Sequence, residues 1–321
     1  MRVRPPHLTA WLARIAATIV AAASLTSCIM GGHEPVSTIA DAPGTGEFEV
    51  QVGDLTRSFF LHIPANRPRR LGRAVPYPLV IVLHGSGANG ETVRRMSGMD
   101  GMADTARFVV AYPNGTTALL GRHSDWNSGE CCGAAQTNNV DDIAFIRALV
   151  DNLSKRMPVD PNRIYVAGFS DGARLAYRAA CELSTKIAAV AIVSGSLMYA
   201  QCAPQRAIPL IAFHGTADED VLYSDSSYAT PERAPLAAAA SAPPSIRFWS
   251  AHNGCSTVTV NRRSLHVTQM RFGGCAGEVT LFTIDEGLHA WPGGVSDGQE
   301  PTHEISATRE AWRFFARHPL R

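Results

Sequence analysis

Short apolar runs alternate along this chain with longer stretches in which apolar residues recur every three or four positions. The clearest run is Pro78-Leu79-Val80-Ile81-Val82-Leu83. A run this short, without polar alternation, predicts a strand covered on both faces. Similar runs near 107–112, 163–167, 188–193, 208–213 and 279–284 predict further strands. Between them lie helical patterns. In residues 139–156, Val140, Ile143, Ile146, Leu149, Val150 and Leu153 form one apolar stripe, as a helix packed on a sheet requires. Residues 304–318 predict a closing helix that turns Trp312 and Phe315 to the core. Glu47–Val52 and Thr56–Ile63 alternate in polarity like an antiparallel hairpin. Strands alternating with helices specify the α/β class, a mostly parallel central sheet with helices on both faces. Residues 231–244, rich in Ala, Pro and Ser, read as a surface excursion. No internal repeat is visible.

The N-terminus breaks this pattern. Arg2, Arg4 and Arg14 precede an apolar stretch from Ile15 to Leu25, too short to span a bilayer, and Leu25-Thr26-Ser27-Cys28 follows. This predicts a lipoprotein signal peptide over residues 1–27, cleaved before a lipidated Cys28 that anchors the protein to a membrane. A plain secretory signal is the alternative. Residues 28–46 read as a flexible tether and 47–321 as one catalytic domain. The expected location is exported, on the outer face of a bacterial membrane or secreted. The 321-residue chain has 29 basic and 28 acidic residues; without residues 1–27, which hold three of the basic ones and no acid, the formal charge is −2. No basic patch points to nucleic acid. Six of the seven cysteines follow Cys28, an even count that suits disulfides in an exported protein. Local proximity suggests Cys181 with Cys202 and Cys255 with Cys275, the latter flanking a hairpin-like region. The vicinal Cys131 and Cys132 either bond to each other or stay free. No metal site or cofactor is expected, because no Cys or His spacing suits a ligand set.

The chemistry is concentrated in four loops. The apolar run Arg163–Phe169 leads into Gly168-Phe169-Ser170-Asp171-Gly172, and a helix-like segment follows at once. This is the context of a nucleophile elbow, where a strained turn presents a serine hydroxyl at the end of a sheet. A strand at 208–213 ends in His214-Gly215-Thr216-Ala217-Asp218-Glu219-Asp220, where Asp218, or Asp220 in its place, would orient a histidine. A strand at 279–284 runs into Asp285-Glu286-Gly287-Leu288-His289. His289 is the expected base; His214, directly ending a strand, reads as structural, and His303 is the other late histidine. The order Ser170, Asp218, His289 is that of α/β-hydrolases and not of chymotrypsin or subtilisin. The strand at 78–83 ends in His84-Gly85-Ser86-Gly87. Its N–H near Ser86, with that of Asp171, would form an oxyanion hole. Trp126 and Trp291 are candidate pocket linings for an aromatic acyl group or a sugar. Asp141 and Asp142, in the first turn of the striped helix, read as structural.

From about Glu47 to the C-terminus the chain resembles the secreted polyhydroxybutyrate depolymerase-like esterases, α/β-hydrolases grouped with feruloyl and acetylxylan esterases. The resemblance rests on Leu83-His84-Gly85-Ser86-Gly87, Tyr112-Pro113-Asn114-Gly115, Trp126-Asn127, Cys131-Cys132-Gly133, Val140-Asp141-Asp142-Ile143-Ala144-Phe145-Ile146, Gly168–Gly172, His214–Asp218 and His289-Ala290-Trp291-Pro292-Gly293. It implies a serine esterase with Ser170, Asp218 and His289 in the three roles. Relatives often have Asn where this chain has Asp171, and are often richer in glycine where it has Glu286-Gly287-Leu288. Asp171 is expected to put negative charge near the nucleophile and disfavour anionic substrates. Depolymerases that attack solid polyester usually carry an added binding domain, for which the single helix after His289 leaves no room. Short, soluble hydroxyalkanoate esters or oligomers are therefore the expected substrates, with a feruloyl or acetylxylan ester as the alternative. A non-catalytic envelope lipoprotein that only binds would be expected to have lost Ser170, Asp218 or His289, and all three are present. A lipase would want an apolar lid, and none is evident.

Overall fold

A computed structural model describes residues 43–117, 124–224 and 240–320. The chain enters by the hairpin β1 (Gly44–Val52) and β2 (Leu55–Ile63), followed by a two-residue pair, β3 (Arg69–Arg70) and β4 (Arg73–Ala74). Next come β5 (Tyr77–Leu83), α1 (Gly90–Ser97), α2 (Met99–Ala106) and β6 (Val109–Pro113). A short ribbon of β7 (Thr116–Thr117) and β8 (Ser124–Asp125) precedes α3 (Gly133–Thr137), α4 (Asp142–Arg156), β9 (Val159–Phe169) and α5 (Asp171–Glu182). The rest is β10 (Ala189–Val193), β11 (Leu210–Gly215), α6 (Pro244–His252), β12 (Thr257–Arg262), β13 (Val267–Gly273), β14 (Val279–Ile284) and α7 (Ala307–Arg317).

Ten of these strands form one sheet in the order β1-β2-β6-β5-β9-β10-β11-β14-β13-β12. The six central strands, β6 to β14, run parallel, and antiparallel hairpins close both edges. Successive residues of a strand face opposite ways. Leu79, Ile81 and Leu83 of β5 therefore join one buried layer, with Leu149 and Tyr177 from α4 and α5. Val80 and Val82 join the other, with Val93, Met99 and Phe315 from α1, α2 and α7. Apolar runs without alternation are what a sheet covered on both faces needs. The α/β-hydrolase fold read from the sequence is the fold observed.

Local chemistry moved several boundaries. The striped helix starts at Asp142, not Asn139: Asn139 has φ 49°, and the Asp141 side chain accepts the Ala144 N–H. The last helix starts at Ala307, after Ser306 caps the Arg309 N–H. The expected surface excursion gives way to α6, with Pro244 at its first position, where the missing N–H costs nothing; residues 225–239 lie outside the described residues. Strand β1 begins at Gly44, so the last three residues of the expected tether are in the sheet. The signal peptide, Cys28 and the remaining tether lie outside the described residues. Cys181 is bonded to Cys202, Cys255 to Cys275 across the β12–β13 hairpin, and Cys131 to Cys132. Among the described residues no helix is long and apolar enough to cross a membrane.

Candidate active site

The site lies at the C-terminal ends of the parallel strands, where each strand hands its chain to a loop or a helix N-terminus. Ser170 follows β9 and is the N-cap of α5, at φ 56° and ψ −118°. A side chain at positive φ is strained, and here the neighbours enforce it. A Cβ on Gly168 would fall on the Gly172 carbonyl, and one on Gly172 would fall on the carbonyls of Leu83 and His84. The turn therefore closes only with glycine at both places. The Ser170 N–H is held by the Val193 carbonyl at 3.0 Å.

Asp218 and His289 come together over 71 positions of sequence. Nδ1 of His289 stands 2.9 Å from both Asp218 carboxylate oxygens. Burial alone would raise the Asp218 pKa, but His289 and the Val221 N–H, at 2.8 Å, hold it below the usual carboxylate range. An ionised Asp218 can only accept, so Nδ1 carries the proton and Nε2 is left as the base. The Phe169 ring packs on the His289 ring with centroids 4.8 Å apart, which sets the imidazole beside the serine turn. Asp220 is exposed and offers its carboxylate to Gln299 instead. His214 is buried behind the acid loop and donates from Nε2 to the Val221 carbonyl at 2.7 Å. His303 is exposed.

The His84–Gly87 loop abuts the serine: a Cβ on Gly85 would stand 3.2 Å from the Ser170 Cβ. The N–H groups of Gly87 and Ala88 are taken by the carbonyls of Ser124 and Gly85. The Ser86 hydroxyl donates to Asp125, whose ribbon thus clamps the loop. The N–H of Asp171 lies in the first turn of α5, where backbone donors have no intrahelical partner. Behind the loop, His84 Nδ1 donates to the Gly85 carbonyl at 2.7 Å and Nε2 accepts the Gly115 N–H at 2.9 Å. Burial lowers its pKa to about 4, so it is a neutral strut.

The two tryptophans do not line a pocket. Trp126 is 0% exposed, and its Nε1 donates to the His84 carbonyl at 2.9 Å. Trp291 is 1% exposed and donates to Thr308 Oγ1 at 2.9 Å. Both are core residues whose N–H finds an internal acceptor, as a buried indole requires. Asp171 also departs from expectation, because its carboxylate is sealed inside the protein. It is 1% exposed, accepting the Trp126 N–H at 3.0 Å and facing the Ser128 hydroxyl. Burial raises its pKa to about 7. An acid whose folded pKa is raised binds its proton more tightly when folded, so stability falls as pH climbs from its unfolded value towards 7. Asp171→Asn keeps the acceptor for Trp126 and removes that titration. Urea unfolding at pH 5 and pH 8.5 should show the variant about 1–3 kcal/mol more stable than the parent at the higher pH, on the scale of about 1.4 kcal/mol per pKa unit. Parallel pH slopes for the two proteins would refute the assignment.

Asp125, Gln299 and the buried pair Arg57–Asp142, at 2.8 Å, carry weight around the site that the sequence did not single out, beyond placing Asp142 as structural. Asp125 adjoins the Trp126-Asn127 motif, which was the nearest available signal; Gln299 had none.

The profile of a family described as phospholipase/carboxylesterase matches residues 72–233, half of the chain. A Nocardia uniformis subsp. tsuyamanensis protein named as an esterase, NocK, is 35% identical over 184 residues, 56% of this chain and 50% of that protein. Feruloyl esterase B of Piromyces equi is 31% identical over 193 residues, 57% of this chain and 34% of its own. The chain thus spans half or less of these two proteins. Feruloyl esterase C of Emericella nidulans is 25% identical over 303 residues, 90% of this chain and 96% of that one. Among solved structures, an acetyl xylan esterase from Aspergillus awamori superposes with a TM-score of 0.57 at 14% identity, covering 84% of this chain and 99% of its own. At that identity the likeness concerns the fold.

Proposed function

The chain belongs to the phospholipase/carboxylesterase family, and from that premise we propose that it is a serine carboxylic-ester hydrolase working through an acyl-enzyme. The observation that carries this reading is the pair of 2.9 Å contacts between His289 and Asp218, set against a strained Ser170 at a helix N-terminus. His289 Nε2 takes the Ser170 proton as the serine oxygen attacks the ester carbonyl. Asp218 holds the imidazole in the right tautomer and stabilises the imidazolium. The N–H groups of Ser86 and Asp171 receive the developing oxyanion; each such donor is worth about 3 kcal/mol in the barrier. The imidazolium then protonates the leaving alcohol, and water repeats the sequence on the acyl-serine.

The substrates we propose are soluble esters of the feruloyl or acetyl type, a reading supported by the names of the relatives above. Short hydroxyalkanoate esters, favoured by the motifs alone, are the second arm of the test. The three disulfides support an oxidising, exported setting, and a lipid on Cys28 remains part of the proposal.

The test is a panel of methyl ferulate, acetylated xylan, p-nitrophenyl acetate and soluble hydroxybutyrate oligomers. Methyl ferulate or acetylated xylan should give the highest kcat/KM among the natural-type esters. Preference for the hydroxybutyrate oligomers would move the assignment to the polyester reading. No turnover of any of the four by folded protein would reject the hydrolase.

A further inference from the structure

Gln299 lies ten residues beyond His289 and touches both loops that carry the acid and the base. Its Oε1 accepts the His289 backbone N–H at 2.9 Å, and its Nε2 donates to Asp220 Oδ2 at 2.9 Å. A backbone N–H can only donate and an ionised carboxylate can only accept, so both contacts demand the same orientation of the amide. The main chain that carries it is held too: Ser296 Oγ donates to the Gln299 backbone carbonyl at 3.0 Å and accepts the Gly298 N–H at 3.3 Å. Asp220 in turn donates its backbone N–H to Asp218 Oδ1 at 3.1 Å. The hydrogen bonds therefore close a ring, from the His289 main chain through Gln299, Asp220 and Asp218 back to the His289 ring.

We infer that Gln299 is a positioning residue that straps the histidine loop to the acid loop and so aims the imidazole. The inference rests on the proposed role of His289 as base. The Ala217 N–H on the Gly287 carbonyl at 3.0 Å and the Glu286 N–H on Thr216 Oγ1 at 2.9 Å already join the two loops before His289. The Nδ1 contact sets one distance at the ring, which leaves the main chain of His289 freedom to shift between these ties. A second tie, made to the main chain of the same residue, removes that freedom. Misplacement of a catalytic group by about 1 Å can cost on the order of 100-fold in rate.

The test uses the full chain and p-nitrophenyl acetate, with kcat and KM measured separately. Gln299→Ala should lower kcat by about tenfold with KM within about twofold, a partial share of that misplacement cost. Gln299→Glu should be at least as poor, because it sets two carboxylates face to face. Pairing Gln299→Glu with Asp220→Asn hands the donor to the opposite partner and restores both bonds, so kcat should return to within about threefold of the parent. A merely damaged fold would not be rescued by a second substitution. Unchanged kcat in Gln299→Ala, or no recovery in the paired variant, would overturn the strap. Hydrogen exchange at the His289 amide, faster in Gln299→Ala, reads the strap without catalysis. If the parent hydrolyses no ester, the proposed function fails, and unchanged exchange would then reject the strap as well.

Discussion

Ser170→Ala is expected to lower kcat on p-nitrophenyl acetate by roughly 10⁴-fold or more while leaving the thermal midpoint within a few degrees of the parent. The expectation follows from what the serine does and does not do structurally. Its backbone carries the strain of the elbow, and its N–H is anchored on Val193; alanine accepts the same dihedrals at a similar cost. The hydroxyl is no helix cap, since it makes no capping bond to the first turn of α5. Its loss therefore removes the proposed nucleophile and leaves the proposed oxyanion donors, the histidine and the sheet in place. Activity left behind would be that of positioned donors acting on water, far below the acyl-enzyme route. A fluorophosphonate probe should label the parent once per chain and the variant not at all. Retention of more than a tenth of the parent rate in a folded Ser170→Ala protein would remove Ser170 from the mechanism.

The proposed triad could be read from the sequence because each of Ser170, Asp218 and His289 sits in a short local pattern: an apolar run, then a glycine two or three positions before the residue. Those runs also specified the sheet, since a parallel strand covered on both sides has no polar alternation to confuse it with a surface element. What escaped was set by long-range contact. Trp291 follows His289 by two positions, Trp126 lies 42 positions from His84, and nothing local tells an indole facing substrate from one sealed beneath a loop; only the acceptors on His84 and Thr308 decide. Asp171 reads as a charge beside the nucleophile until its carboxylate is seen under Trp126. Gln299 belongs to a loop without apolar periodicity, and its partners are an amide ten residues away and a carboxylate 79 residues away. Helix starts moved because a cap is chosen by side-chain geometry at single residues, as at Asp141 and Ser306.

The largest stability effect is expected at Arg57, whose partner Asp142 holds the loop at Asn127. Its guanidinium donates to Asp142 Oδ1 at 2.8 Å and to the Asn114 carbonyl at 3.1 Å, and lies 4.2 Å from the centre of the Phe145 ring. The two side chains are 6% and 0% exposed. Asp142 Oδ2 also accepts the Asn127 N–H at 2.7 Å, one residue along from the Trp126 N–H that Asp171 holds. The loop over the nucleophile helix is thus hung on two buried carboxylates. Arg57→Met keeps much of the stem volume and strands the Asp142 charge. Breaking a buried pair from one side costs about 3–5 kcal/mol, or roughly 10 °C of melting temperature for a domain of this size. Burial already raises the Asp142 pKa, with Arg57 opposing it; without the arginine it rises further. A raised folded pKa means that protonation favours the folded state. The deficit of Arg57→Met should therefore be fullest above that raised pKa and shrink as pH falls through it towards the unfolded value. Adding Asp142→Asn should recover part of the loss at neutral pH, because the amide still accepts from Asn127 and carries no charge. Urea unfolding at pH 5 and pH 8 measures both effects. A loss below about 1 kcal/mol, within the range of ordinary surface changes, or a deficit that grows on acidification, would show that the pair does not hold this loop.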